Sequence, residues 1–135
     1  MNILIIDDSE AILRIHRHAV LSGFPDATVK FAESGKDALN LLATWPAQVI
    51  LSDYHLSGMD GFQLLLQVRR KFPDIPFGFV SAENDADVLK RARAAGAAFF
   101  VVIPFKDEQL ITAMQNALAA APVSRPAGAP VPDAS

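Results

Sequence analysis

The sequence predicts an α/β domain: a doubly wound, five-stranded parallel sheet with helices on both faces. Two observations carry that reading. Five short runs rich in Ile, Val or Phe alternate with five stretches of helical pattern. Glycines and prolines sit where those elements should end. Strict alternation of this kind implies parallel strands covered on both sides.

Taken in order, the first strand is Asn2–Ile6, whose near-continuous apolar run suits burial on both faces. A helix over Glu10–Leu21 follows and is closed by Gly23 and Pro25. The second strand is Thr28–Phe31 and the second helix Gly35–Thr44, ending at Trp45-Pro46, where Trp45 reads as a packing residue. Val49–Ser52 is the third strand and Gly61–Phe72 the third helix. The charged end of that helix, Arg69-Arg70-Lys71, suits the helix dipole and needs no partner, and Pro73 and Pro76 end the unit. Phe77–Val80, the helix Asp85–Ala95 and the stop at Gly96 form the next unit. The strand Ala98–Val102 and the helix Glu108–Ala120 close the domain. In that helix Leu110, Ile111, Met114, Ala117 and Leu118 recur at helical spacing and give one buried stripe.

Composition bounds what such a domain can do. The chain has 135 residues, enough for one domain and one core and too few for two. Hydrophobic residues make up 51% and charged residues 20%, as in a folded globular chain. A net charge of -3 gives no electrostatic case for nucleic-acid binding, which needs a basic stripe. With no cysteine, disulfide scaffolds, thiol nucleophiles and zinc ribbons are excluded. The apolar run Ile3–Ile6 is far too short for a signal peptide or a membrane span, so a cytoplasmic setting without membrane contact is expected. Two regions are expected: a domain over 1–120 and a Pro/Ala-rich tail or linker over 121–135, which holds four of the nine prolines. Whether the chain stands alone or precedes an output domain is left open.

In doubly wound folds, ligands bind beyond the carboxyl ends of the strands. There the first strand ends in Asp7-Asp8, the third in Asp53, the fourth in Ser81 and the fifth near Ile103-Pro104. Two like charges about 4 Å apart repel by roughly 4 kcal/mol at an effective dielectric near 20. Three converging acids therefore call for a cation or a protonated carboxyl. Hard oxygen ligands completed by water suit Mg²⁺. A dinucleotide or FMN site fits poorly, because acids in the first loop would repel a phosphate. The bland alternative is that Asp7, Asp8 and Ser9 only cap the following helix. Three acids on two strands weigh against it.

These residues carry a resemblance. Over about Met1–Ala120 the chain resembles the receiver domains of two-component response regulators, the CheY-like family. The carrying motifs are Asp7-Asp8, then Asp53 followed by Gly58-Met59-Asp60-Gly61, then Ser81-Ala82, then Gly96-Ala97 leading to Pro104-Phe105. The resemblance implies a flavodoxin-like sheet of strand order 2-1-3-4-5 and a cis bond before Pro104. It implies that Asp53 accepts a phosphoryl group from a histidine kinase. Mg²⁺ would be held by Asp8, Asp53 and the backbone carbonyl of His55, with Asp7 acting through water. Ser81 would hydrogen-bond the phosphoryl group, and Phe100 would be the aromatic whose rotamer reports it. The phosphorylated state would be relayed through the face of the fourth helix, fifth strand and fifth helix to an output domain or partner, or to a second copy in a homodimer. Apart from turning over its own acyl phosphate, the protein is expected not to be an enzyme.

The pattern breaks at Ile103, where the family has a lysine that pairs with the phosphoryl group and the acids. Lys106 lies past Pro104 and would have to fold back to replace it. Loss of that ammonium leaves the metal ligands untouched, and even favours a cation, but weakens the phosphorylated state and its coupling. A pseudo-receiver signalling by protein contact alone is therefore a serious alternative. A small Mg²⁺-dependent phosphohydrolase with an aspartyl nucleophile is a poorer one, since Asp7-Asp8-Ser9-Glu10 is not Asp-x-Asp and no cap domain fits. Leu56-Ser57 replaces the usual Met-Pro, with little chemical consequence expected. Phe99 occupies a position that is more often polar in the family. It either packs under the flanking helices or adds to an interface along the edge strand. His55 and Glu83 rim the site and would tune the lifetime of the phosphate. His16 and His18 are two apart on the first helix, so they cannot ligate together on one face.

Overall fold

The computed structural model describes residues 1–121. The expected tail, from residue 122 onward, lies outside them. Ten elements alternate strictly: β1 (Asn2–Ile6), α1 (Glu10–Gly23), β2 (Thr28–Ala32), α2 (Gly35–Leu42), β3 (Val49–Ser52), α3 (Gly61–Lys71), β4 (Phe77–Ser81), α4 (Ala86–Ala94), β5 (Phe99–Val102) and α5 (Asp107–Ala120). The five strands are parallel in the order β2-β1-β3-β4-β5. That is the fold class and strand order expected from the sequence.

Because successive strand side chains point to opposite faces, each inner strand feeds two cores. Leu4, Ile6, Ile50, Phe77 and Phe79 join Ala38, Leu42, Leu64, Leu65, Val68 and Ala92 on the α2–α3–α4 side. Ile3, Ile5, Val49, Leu51, Val80 and Phe99 join Leu13, Val20, Leu110 and Met114 on the α1–α5 side. β1, β3 and β4 are almost wholly inaccessible, whereas the edge strand β2 exposes Thr28, Lys30 and Phe31.

Local chemistry sets most of the boundaries. Ser9, Ser34 and Asp85 cap α1, α2 and α4 with side-chain oxygens, and Asp60 forms a capping box with Gln63 at α3. After α4 the chain turns through Gly96 at φ +110°, a conformation other residues resist, and a Cβ there would also meet the stem of Arg69. The helix α2 stops at Leu42 instead of Thr44, and Ser81 completes β4 instead of following it. The Ile103-Pro104 bond is cis.

The edge strand β5 resolves the two alternatives for Phe99. Its ring is 4% exposed and packs on the α1–α5 side, directly over its ladder partner Gly78. A Cβ on Gly78 would come within 2.2 Å of that ring, so the glycine makes room for it. Phe99 is therefore core and adds nothing to an exposed surface. Phe105 is half-buried against the same cluster.

Candidate functional site

The register of the sheet brings the acids together. Ile6 pairs with Ser52, so Asp7 and Asp53 leave β1 and β3 side by side. The Asp53 N–H donates to the Ile6 carbonyl at 2.9 Å and the Asp7 N–H to the Ala32 carbonyl at 3.1 Å, which extends the ladder one residue past each strand. On the other side, the Ile103 N–H donates to the Ser81 carbonyl at 2.9 Å. Asp7, Asp53, Ser81 and Ile103 thus line the carboxyl edge of four adjacent strands.

Asp7 is the buried member, 4% exposed. Burial pushes its carboxyl up to about 6 from the ordinary 3.8, and the neighbouring charges of Asp53 and Asp8 add to the rise. The Ser9 N–H, donating to Asp7 Oδ1 at 2.9 Å, opposes it. Asp53 is half-buried, and Asp8 is exposed at the rim. The Ser57 hydroxyl, on the loop after β3, donates to Asp8 Oδ2 at 3.0 Å. The Leu56-Ser57 departure therefore reaches the acid site after all.

Among the described residues, no three His, Asp or Glu side chains form a ready-made cage. The donor set nevertheless fits a hard divalent ion: acidic oxygens close together, one of them with its carboxyl pushed up chiefly by burial and further by its acidic neighbours. The bland capping alternative accounts only for Ser9, whose side chain accepts from the Ile12 N–H. Asp8 and Asp53 take no part in a cap.

The rest of the rim is as follows. Ser81 is buried, and its hydroxyl accepts from the Glu83 N–H at 3.3 Å. His55 Nε2 lies 2.9 Å from Glu83 Oε2, a strap between the loops after β3 and β4. That hydrogen bond, with the Asp85 N–H, holds the Glu83 carboxyl below its usual range. Phe100 points inward and meets Phe79 at 5.4 Å and Tyr54 at 6.1 Å between ring centroids. Ile103 joins the apolar cluster on the α1–α5 side, and Lys106 is the exposed residue that precedes α5. His16 is buried with its ring 5.8 Å from that of Phe105, while His18 is exposed. Burial lowers the His16 pKa, and the charge of Asp53 partly opposes the drop.

Sequence reasoning missed two residues of this region. Tyr54, directly after Asp53, is buried among Phe79, Phe100 and His55. Its hydroxyl accepts from Arg91 Nη2 at 2.9 Å. The adjacency of Tyr54 to Asp53 was the available signal. Nothing in the spacing of Arg91 pointed to it.

No helix among the described residues is long and apolar enough to cross a membrane. Residues 3–115 match the family described as the response regulator receiver domain. The chain is 32% identical over 114 residues to the DNA-binding transcriptional regulator NtrC of Klebsiella pneumoniae, covering 84% of this chain and 24% of NtrC. It is 28% identical over 120 residues to the cyclic di-GMP phosphodiesterase response regulator RpfG of Xanthomonas campestris, covering 87% of this chain and 32% of RpfG. The chain thus spans about a quarter to a third of these relatives. Among solved structures, the chemotaxis response regulator CheY4 of Vibrio cholerae superposes with a TM-score of 0.77 at 26% identity, covering 86% of this chain and 97% of that one. The receiver domain of an HD domain-containing protein from Pseudomonas fluorescens gives 0.79 at 29% identity, covering 87% and 94%. The matched span reaches all five strands and takes in the acids at their ends, and the chain belongs to the response regulator receiver domains, the signal-receiving modules of two-component systems.

Proposed function

We propose that Asp53 accepts a phosphoryl group from a histidine kinase with Mg²⁺ as cofactor. One observation carries the reading. Asp53 stands beside a buried acid whose pKa is pushed to about 6, a site with excess negative charge at the carboxyl edge of the sheet. Asp8, Asp53 and the carbonyl of His55 would hold the ion, with Asp7 one water away. The ion would supply positive charge to the equatorial oxygens during transfer.

An Asp53 carboxylate oxygen forms the new bond to phosphorus while the bond from phosphorus to the donor imidazole breaks, and the electron pair leaves with that nitrogen. The Ser81 hydroxyl then turns from the Glu83 N–H to a phosphoryl oxygen. Its movement opens space behind β4 for Phe100, and the α4–β5–α5 face carries the change to an output domain, a partner or a second copy. Water returns the acyl phosphate to carboxylate and inorganic phosphate, so the only turnover is of the protein's own phosphate. A cytoplasmic setting follows from a kinase partner of this kind.

Ile103 supports a second reading, a pseudo-receiver that keeps the partner face and signals without phosphate, because the site lacks the family's fixed ammonium. Intact mass after incubation with Mg²⁺ and a small phosphodonor separates the two. A gain of one phosphoryl group that is lost in Asp53→Asn supports the first. No gain, with partner binding unchanged in Asp53→Asn, supports the second.

A further inference from the structure

With no ammonium at position 103, the acceptor needs another physical link to the helices that carry its state outward. Such a link runs through Tyr54. The backbone of this residue is held from α3: the Gly61 N–H donates to the Tyr54 carbonyl at 2.8 Å. The approach is close enough that a Cβ on Gly61 would lie 2.4 Å from the Asp53 carbonyl oxygen. The ring of Tyr54 packs 5.2 Å from Phe79 and 6.1 Å from the inward Phe100. Its tip is held from α4, where Arg91 donates to the hydroxyl and stacks over Phe62 of α3 with its guanidinium carbon 4.4 Å from the ring centroid.

What else holds α4 makes this contact matter. The helix buries a single side chain, Ala92, with Val88 and Leu89 only partly covered. An element with so little buried surface opens at low cost, and one polar tie is then a large share of its attachment. The Arg91 tie ends on the residue next to the acceptor.

We propose that Arg91 is a positioning residue that acts through Tyr54 to couple α4 to the acceptor loop. Whatever alters Asp53 thereby alters α4, and whatever binds α4 alters Asp53. Such coupling is reciprocal by necessity. The proposal rests on the receiver reading, to which it adds a route independent of the residue at position 103.

The test measures backbone amide exchange across Ala86–Ala94 in the whole chain, with α1 as an internal control of folding. The perturbations at Asp53 are the small phosphodonor with Mg²⁺, and Asp53→Asn. In the parent, both change exchange in α4. In Tyr54→Phe and Arg91→Gln, resting exchange in α4 is about fivefold faster, the size expected from one lost hydrogen bond. The response to either perturbation is gone in both variants, although phosphoryl uptake persists, and Arg91→Lys, which keeps a donor, restores part of it. A tie that only supports the helix would leave the response in place beside the faster exchange. Tyr54→Phe with a parental response overturns the proposal, as does resting exchange equal to the parent's. If the parent takes up no phosphoryl group, the receiver reading fails, and the response to Asp53→Asn alone decides the coupling.

Discussion

Substituting Asp7 by Asn isolates the electrostatic cost of the acid site, and its magnitude can be worked from the raised carboxyl. Above its ordinary pKa of 3.8 the unfolded chain ionises Asp7, while the folded protein keeps the proton up to about 6. Between those values the native state binds more protons, so stability falls as pH rises through the window and is flat above it. The interval corresponds to a loss on the order of 3 kcal/mol, all of it incurred by about pH 7. Asparagine keeps the oxygen that accepts from the Ser9 N–H and cannot ionise. His16 works in the opposite sense. Its lowered pKa costs stability as pH falls below 6.5, and because both proteins contain it, the comparison cancels that effect.

The assay is denaturant unfolding of the parent and Asp7→Asn in chelator, at about pH 4, where little of the loss is yet incurred, and at about pH 7.5, where nearly all of it is. The two proteins should be close in stability at the acid end, with the variant more stable at the neutral end by up to about 3 kcal/mol. Mg²⁺ should then stabilise the neutral parent by about 2.7 kcal/mol at a hundredfold excess over its dissociation constant, and the variant by less. A parent–variant difference that stays constant with pH would refute the raised Asp7 carboxyl on which the argument rests.

Four further outcomes follow from particular residues. Gly61→Ala places a methyl group against the Asp53 carbonyl oxygen and the Tyr54 Cα, so the acceptor loop must shift. Unfolding measurements should show a loss of about 1–3 kcal/mol together with weaker Mg²⁺ binding. Gly78→Ala should cost a similar amount, about 1–3 kcal/mol, through collision with the Phe99 ring, and Phe99→Leu added to it should recover part of the loss. Phe99→Asp should unfold the domain, not merely alter its association, because it buries a charge under α1 and α5; circular dichroism reads this directly. Ile103→Lys should speed phosphoryl uptake or lengthen the lifetime of the phosphate, read as intact mass against time, and equal time courses would show that the ammonium is dispensable here.

The architecture was legible because two-sided burial writes itself into a parallel strand. Ile3–Ile6 carries no polar residue because each position meets one of two helix layers. The acids at the strand ends were legible for a related reason. A carboxylate directly after an apolar run has no place in the core, so its position marks the sheet's edge. Boundaries were less so: Ser81 reads as a loop residue by composition, yet its backbone completes the ladder with Val102. Pairings across the fold were not legible at all. Nothing local links Ser57 to Asp8, Arg91 to Tyr54, or His55 to Glu83, since each contact depends on where two loops or helices meet after folding. Phe99 illustrates the limit. Its setting could be read either as core or as interface until its ladder partner was seen to be a glycine.

Ile103 and the raised carboxyl of Asp7 bear on one charge balance. At position 103 the chain has an isoleucine that packs into the cluster beneath α1 and α5. It brings no ammonium to the acids across the sheet edge, where burial, with the charges of Asp53 and Asp8 adding to it, pushes the Asp7 carboxyl up to about 6. An opposite charge within about 4–6 Å typically lowers a carboxyl pKa by 1–3. A lysine at 103 that reached the acids would thus return Asp7 toward its ordinary value and shrink the pH-dependent loss of stability. It would also compete with Mg²⁺ for the same oxygens. On the proposed receiver reading, the isoleucine would shift dependence from a built-in cation to a bound one, and the conformational readout would fall to apolar and hydrogen-bonded contacts such as those of Tyr54.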